Sequence, residues 1–406
     1  MNRYVIIGNG VAGVTAAQSI ARAQPGADLH IYAAEPYPYY RRPQLPDYIA
    51  GIVAEADIFY RPPEWYEQQG IRVHLSAPVA ELDPQAHRLR LADGTEVPYD
   101  RLLLATGGRA WIPPIEGAGR PGVFTLRTLD DARAIRQFAQ SARRGVVIGG
   151  GLLGLETARA LRALGLEVTV LEFAPYLMPR QLDREGAAVL ETLLQQMNIR
   201  TVTGAATEAV LGDGAVRAVH LKDGREFPAD LVVCSTGIRS EVTLARQAGL
   251  AVNRGVVVDE YLQTSVPDVY AAGDVAEAGG IVYGIVPAAI EQARAAAANL
   301  VAPGSAIYPG TLPATTLKVV GAELTSLGEC VAEGDDLILL RRADPQNGRY
   351  RKLALRDGRI VGAILLNERA HTSPIRQLME RGTDVSAYAD LLMEEQPDWN
   401  RLMARG

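Results

Sequence analysis

An α/β architecture is predicted for this chain: two doubly wound units, one inserted into the other, followed by a small α+β module. Three observations carry the prediction. A glycine triad follows an apolar strand twice: Tyr4-Val5-Ile6-Ile7 runs into Gly8, Gly10 and Gly13, and Val146-Val147-Ile148 runs into Gly149, Gly151 and Gly154. Each unit also closes on an apolar strand with a similar ending, Ala105-Thr106-Gly107 in one and Ser235-Thr236-Gly237 in the other. Beyond about residue 309 the strand–helix alternation gives way to strand-rich sequence.

Each triad has a physical reading. The first glycine makes a turn that a Cβ would obstruct, the second lets the backbone approach a diphosphate, and the third lets the next helix pack against the strand. Val11 and Ala12 in the first triad, like Leu152 and Leu153 in the second, sit at the start of that helix. There the unpaired N–H groups and the helix dipole favour negative charge. Small residues continue both helices, and an acid follows the next strand in each unit: Glu35 after Leu29-His30-Ile31-Tyr32, Glu172 after Val168-Thr169-Val170-Leu171. Such a carboxylate accepts the ribose hydroxyls of an adenosine. The units are therefore read as two Rossmann-like dinucleotide-binding domains related by internal duplication.

The order along the chain follows from turn signals. Residues 1–114 form the first part of one nucleotide domain, and the turn-rich Pro113-Pro114-Ile115-Glu116-Gly117-Ala118-Gly119 is a linker. Residues 115–240 form the second nucleotide domain, 241–308 return to the first, and 309–406 form the C-terminal module. The return is marked by Val269-Tyr270-Ala271-Ala272-Gly273-Asp274, a short strand ending in an acid that can accept a ribityl hydroxyl of a flavin. Gly273 lets the backbone come close. After Val286, Pro287 is expected as the first residue of a helix, where proline loses only an N–H that has no helical partner. Its positive end suits the flavin N1–C2=O edge, where reduced flavin carries charge. In the last module, strands are expected over Leu312–Val320, Asp336–Arg341, Lys352–Arg356 and Ile360–Leu366, with helical pieces around Ser373–Arg381 and Val385–Glu394.

Bulk properties narrow the function classes. In 406 residues, 48% are hydrophobic and 22% charged, as in an ordinary globular enzyme. A net charge of −6 argues against broad electrostatic binding to nucleic acid or an anionic membrane. The first core strand begins near Arg3 and no run of 18 apolar residues occurs, so a cytoplasmic location is expected. Cys234 and Cys330 are the two cysteines, lie far apart and form no paired motif; both are read as structural thiols. No ligand set for a metal or an iron–sulfur cluster is evident.

With these motifs in place, the chain resembles the FAD-dependent pyridine-nucleotide oxidoreductases of the glutathione-reductase fold over residues 1 to about 300. Within them it is most similar to NADH:rubredoxin reductases and the flavin portion of NADH nitrite reductases. The residues that carry this are Glu35-Pro36-Tyr37-Pro38-Tyr39-Tyr40-Arg41-Arg42-Pro43-Gln44-Leu45, Leu126-Arg127-Thr128, Pro179-Arg180-Gln181-Leu182-Asp183 and Leu317-Lys318-Val319-Val320-Gly321. The resemblance implies that Glu35 binds the FAD adenosine ribose, Arg42 its pyrophosphate region and Val79 its adenine, with Arg127 touching FAD and Glu156 near the nicotinamide and flavin. The alternative for Glu156 is a first-turn acid facing the helix dipole, and for Arg127 a surface arginine; Lys318 could reach the cofactor region but is read as an exposed strand lysine. The disulfide reductases of this fold carry cysteines in the stretch that here reads Pro43-Gln44-Leu45-Pro46-Asp47-Tyr48-Ile49. A redox disulfide is therefore not expected. Related ferredoxin reductases show Ser-Lys at Pro46-Asp47, so the ammonium that would pair with Glu156 is missing.

Glu172 suits the 2′-hydroxyl of NADH and repels a 2′-phosphate, and Phe173-Ala174-Pro175-Tyr176 offers no cation to hold one. The expected cofactors are FAD and NAD(H). The expected reaction is hydride transfer from NADH to FAD, then single-electron transfer to rubredoxin or a similar iron protein, without a side-chain acid or base. Alternatives are a ferredoxin reductase component, direct reduction of oxygen, a quinone or (through a partner) nitrite, and a non-catalytic NADH sensor. A local basic patch for an acidic acceptor is looked for at Arg41, Arg351 and Lys352, and a monomer or weak homodimer is expected.

Overall fold

The structure, a computed structural model, describes residues 2–312, 314–319 and 322–399. It divides into two compact units, one of Met1–Gln44, Val53–Trp111 and Ile238–Thr311, the other of Leu45–Ile52, Ile112–Gly237 and Leu312–Gly406. In each, the nucleotide-type core is a parallel sheet, as expected where crossover helices cover an apolar strand set.

In the first unit the strand order is Val269–Ala271, Arg101–Leu104, Arg3–Ile7, Asp28–Tyr32, Ile71–His74. All four neighbouring pairs are parallel. The helices Val11–Ala23 and Val286–Val301 pack against each other. Many of their buried residues are alanines, Ala12, Ala16 and Ala17 on one and Ala289, Ala293, Ala296 and Ala297 on the other, which allows close approach.

The second unit repeats the plan. Its parallel sheet has the order Ile199–Val202, Glu167–Leu171, Arg144–Ile148, Leu231–Cys234, Val123–Thr125. In both sheets the cradle strand lies between the closing strand and the strand before the acid. The difference is the outer strand beyond the closing strand: it comes last in the first unit (Val269–Ala271) and first in the second (Val123–Thr125). Each unit also carries a three-stranded antiparallel sheet, Val79–Asp83, Arg88–Leu91 and Glu96–Pro98 in one, Thr207–Leu211, Ala218–Leu221 and Glu226–Pro228 in the other. The register of both shifts just after the first residue, between Val79 and Glu81 and between Thr207 and Ala209. Duplication extends to this irregularity.

The C-terminal module is a five-stranded antiparallel sheet in the order Ala314–Val319, Ala322–Gly328, Arg359–Leu366, Arg349–Arg356, Ile338–Asp344, with the helix Arg369–Arg381 against it. The strand Ala322–Gly328 was not anticipated. Its Thr325 and Ser326 are buried, so polar residues occupy core positions and hide the apolar pattern. The helix expected over 385–394 is broken into a turn at Ser386–Tyr388 and a short helix at Ala389–Leu392. Where the short helix ends, the Leu392 and Glu394 carbonyls accept from the Arg351 guanidinium, at 2.8 and 2.9 Å. Val320, Gly321 and the side chain of Lys318 lie outside the described residues.

Arg351 and Lys352 require a correction. They are 1% and 0% exposed, so neither belongs to a surface patch. Consecutive strand residues point to opposite faces of a sheet, and here both faces are covered. Tyr350 and Lys352 meet Asp183, which caps the helix Arg184–Gln196, while Arg351 pairs with Glu368 on the other side.

Candidate functional site

The two cradles share their backbone geometry at the first and third glycines. Gly8 and Gly149 adopt φ of +113° and +114°, a region that disfavours side chains. A Cβ on either would lie 2.2 Å from a carbonyl oxygen, that of Ala105 or Ser235. A Cβ on Gly13 would lie 1.9 Å from the Gly8 oxygen, and one on Gly154 2.0 Å from the Gly149 oxygen. The amides of Gly8 and Gly149 each donate at 2.8 Å to the end of the acid-bearing strand, at Tyr32 and Leu171. Gly10 and Gly151 are extended N-caps of the helices beginning at Val11 and Leu152, with no side chain of their own to cap them. In front of Gly151 no heavy atom lies within 4 Å of a built Cβ, and in front of Gly10 only the Arg42 guanidinium does, at 3.4 Å.

Around the first cradle, the Glu35 carboxylate accepts from Tyr40 Oη at 2.5 Å and from the Arg42 guanidinium. Arg42 thus links the expected ribose acid to the cradle glycine. Asn9, between Gly8 and Gly10, accepts at Oδ1 from Tyr66 Oη at 3.0 Å, while its Nδ2 is buried without an acceptor. A buried amide donor without a partner costs roughly 1–3 kcal/mol, and a diphosphate oxygen would satisfy it. Together with the space a Cβ would fill, this fits a dinucleotide.

On the closing side, the Ala105 amide donates to the Ile7 carbonyl at 2.8 Å, Thr106 Oγ1 donates to the Glu241 carbonyl at 2.8 Å, and Gly107 takes φ +72°. Gly273, at φ +86°, would place a Cβ 3.0 Å from that of Ala12, and its amide donates to the buried Gln292 Oε1 at 2.8 Å. The Asp274 carbonyl accepts from Ser240 Oγ at 2.6 Å. The helix there opens at Val286 with Pro287 in its first turn, one residue earlier than the sequence reading placed it. Val79 is half-buried at the start of its antiparallel strand and packs against the core of the first unit.

Around the second cradle, Glu172 Oε2 accepts from the Gly150 amide at 2.6 Å and Oε1 from the Ala174 amide at 2.7 Å. The acid therefore braces the cradle and keeps lone pairs for a further donor. Gly237 has φ +107° with nothing within 4 Å of a built Cβ. Glu156 is half-buried on the cradle helix, and Arg127 lies in the same unit just before the Thr128 cap of the helix Leu129–Ala139. Three residues on from Glu156, the 8%-exposed Arg159 side chain pairs with Asp47 on the short helix Leu45–Ile49. The next residue, Tyr48, lies under the Arg136 guanidinium at 5.1 Å. The chain thus places an acid at position 47 and a cation opposite it.

Asn9, Tyr40, Tyr66, Gln292 and Arg159 were not singled out from sequence: Asn9 and Tyr40 lie within recognised motifs, but the partners of all five are set by the fold. Burial pushes the Cys234 thiol up to about 11 and raises that of Cys330, so neither is poised as a thiolate. Among the described residues no group of three or more potential ligands could hold a metal, and no helix is long and apolar enough to cross a membrane.

A chain with two such cradles is of the class that binds two dinucleotides. Residues 2–299 match the pyridine nucleotide-disulphide oxidoreductase family, and 313–383 match the rubredoxin NAD+ reductase C-terminal domain. The chain is 36% identical to a nitrite reductase (NAD(P)H) of Bacillus subtilis (strain 168), over 95% of this chain and 48% of the relative. It is 34% identical to the ferredoxin–NAD(+) reductase component of the biphenyl dioxygenase system of Paraburkholderia xenovorans (strain LB400), over 97% and 96%. Among solved structures, the covalent putidaredoxin reductase–putidaredoxin complex superposes with a TM-score of 0.90 at 28% identity, covering 99% of this chain and 98% of that one. The chain belongs to the pyridine nucleotide-disulphide oxidoreductases, with FAD and NAD(H) as its cofactors. It spans about half the length of the nitrite and nitrate reductase relatives it matches.

Proposed function

We propose that this chain is an NADH-dependent flavoprotein reductase that passes electrons to a small iron protein, rubredoxin or one like it. The observation that carries the reading is the pair of matched cradles, each with its own acid, in a chain without a cysteine pair. When bound, FAD and NADH supply the redox chemistry: a two-electron donor, and a carrier able to release electrons singly.

The residues supply binding and orientation. In the FAD unit, Gly8, Gly10, Val11, Ala12 and Gly13 receive the diphosphate, aided by Asn9 Nδ2 and Arg42. Glu35 takes the adenosine ribose and Val79 flanks the adenine. Ala105, Thr106 and Gly107 close the opposite wall. Gly273 and Asp274 take the ribityl chain, and the helix opening at Val286 and Pro287 directs its positive end to the ring. In the NADH unit, Gly149, Gly151, Leu152, Leu153 and Gly154 receive the diphosphate, Glu172 the ribose, and Gly237 lines the open side. Glu156, on the cradle helix of the same unit, flanks the nicotinamide end, and Arg127 belongs to this unit as well.

Glu172 sets the choice of nucleotide. Charge-assisted hydrogen bonds contribute about 1.5–3 kcal/mol, so Glu172→Ala should raise KM for NADH by roughly 10- to 100-fold and narrow its advantage over NADPH. Wild-type kinetics preferring NADPH by tenfold or more would reverse the assignment.

The experiment for the acceptor is anaerobic stopped-flow with NADH followed by rubredoxin, ferredoxin, nitrite or oxygen. Fast reduction of an iron protein with slow oxygen turnover is expected. A reaction faster with oxygen than with either iron protein would overturn the reading. Reduction of nitrite only when a second polypeptide is added would assign the chain to the electron-input half of an assembly like its longer nitrite reductase relatives.

A further inference from the structure

Among the described residues Phe173 is the most exposed large apolar side chain, at 78%. An isolated exposed apolar residue is ordinary on a surface, so exposure alone decides nothing. Its backbone is what sets it apart. On one side the Glu172 amide donates to the Val202 carbonyl at 2.9 Å, and the Glu172 carbonyl accepts from Ala205 at 2.8 Å. On the other side the Ala174 amide donates to Glu172 Oε1 at 2.7 Å, and the Ala174 carbonyl accepts from Gly204 at 2.8 Å. The ring is therefore held out on a turn fixed at both flanks, immediately beside the acid assigned to the NADH ribose. A rigid aromatic face loses little freedom when a second ring covers it.

We propose that Phe173 is the stacking platform for the adenine base of NADH. The inference rests on the assignment of the second unit to NADH and adds the residue that recognises its base. The adenine is joined directly to the ribose that Glu172 would hold, so anchoring the sugar there brings the base to the neighbouring side chain. Stacking of a base on an aromatic side chain corresponds to roughly 5- to 150-fold in affinity. The platform acts on binding and not on the reacting atoms, so its signature is a change in KM at constant kcat.

The test uses the full FAD-loaded protein and Phe173→Ala, with Phe173→Trp as the conservative variant. A substitution at so exposed a site should leave folding within about 0.5 kcal/mol, checked by melting temperature and FAD content. For Phe173→Ala, KM for NADH should rise about tenfold at unchanged kcat. With reduced nicotinamide mononucleotide, which lacks the adenosine, the variant should match wild type. ADP-ribose, which carries the adenosine without the nicotinamide, should bind about tenfold more weakly by calorimetry, and Phe173→Trp should restore it. Unchanged ADP-ribose affinity, or equal losses with NADH and the mononucleotide, would overturn the platform while leaving the NADH assignment standing. Wild-type protein that neither binds ADP-ribose nor is reduced by NADH would overturn both.

Discussion

Gly13→Ala should emerge from purification with little or no FAD, while Gly154→Ala should stay yellow and lose its response to NADH. The two changes are chemically identical and sit in cradles of the same geometry, with clashes of 1.9 and 2.0 Å against the Gly8 and Gly149 carbonyls. Neither contact involves the far end of a flexible side chain. Each is between a new methyl and fixed backbone, so the turn or the helix must move. Strain of this kind costs about 1–3 kcal/mol, occasionally more, which corresponds to roughly 5- to 150-fold in affinity for whatever the cradle holds. In Gly13→Ala the loss falls on FAD, read as the ratio of flavin to protein absorbance and as the dissociation constant on reconstitution. In Gly154→Ala it falls on NADH, read as a raised KM with flavin content unchanged. The contrast separates the two sites in a way that either variant alone could not. Gly13→Ala retaining wild-type FAD affinity would refute the assignment of the first cradle, and Gly154→Ala losing FAD instead of NADH would mean the cofactors are exchanged.

That contrast can be designed because the cradles were legible in the sequence. Gly13 and Gly154 are imposed by backbone contacts to Gly8 and Gly149 within a strand–turn–helix of about a dozen residues, and such local constraints survive in the order of residues, although the carbonyls that Gly8 and Gly149 themselves meet lie far along the chain at Ala105 and Ser235. The acids Glu35 and Glu172 were legible for the same reason, each standing one strand further on. What the sequence concealed involves partners far along the chain. Asn9 meets Tyr66, Gly273 meets Gln292, and Asp47 meets Arg159. Nothing in the spacing of a lone glutamine or tyrosine says where its side chain ends. The C-terminal module misled more directly. Thr325 and Ser326 occupy core positions and masked a whole strand. Arg351 and Lys352 looked like surface charges because one face of a strand in an antiparallel sheet is commonly wet. Here neither face is.

The buried arginine yields the other large effect: Arg351→Met should lower the stability of its unit by about 3–5 kcal/mol at neutral pH. Its guanidinium donates to Glu368 Oε2, from Nε at 3.1 Å and through Nη2, and Nη1 holds the Leu392 and Glu394 carbonyls. Glu368 is itself 8% exposed. Deleting the cation strands a buried carboxylate and frees two carbonyls, a far greater penalty than the net value of the pair. At roughly 2–4 °C per kcal/mol for a unit of this size, the melting transition should fall by about 6 °C or more. Glu368 has one other partner, His371 Nε2 at 3.1 Å. Burial, with the Arg351 charge next in effect, holds the His371 pKa below its ordinary value. In the wild type that depressed pKa means stability is lost as pH falls below about 6.5, because the unfolded chain takes up the proton first. In Arg351→Met burial still lowers the His371 pKa, but the opposing cation is gone and the lone carboxylate favours a charged imidazole, so the variant loses less stability to acid than the wild type does. The gap between wild type and variant should therefore narrow from pH 7.5 towards pH 5.5, and Arg351→Met/Glu368→Leu, which removes both charges, should recover stability at pH 7.5 and show no such narrowing. A melting temperature for Arg351→Met within about 2 °C of wild type at neutral pH would show that the carboxylate finds water or a proton at little cost, and the buried pair would then not be what holds the tail of the chain to the sheet.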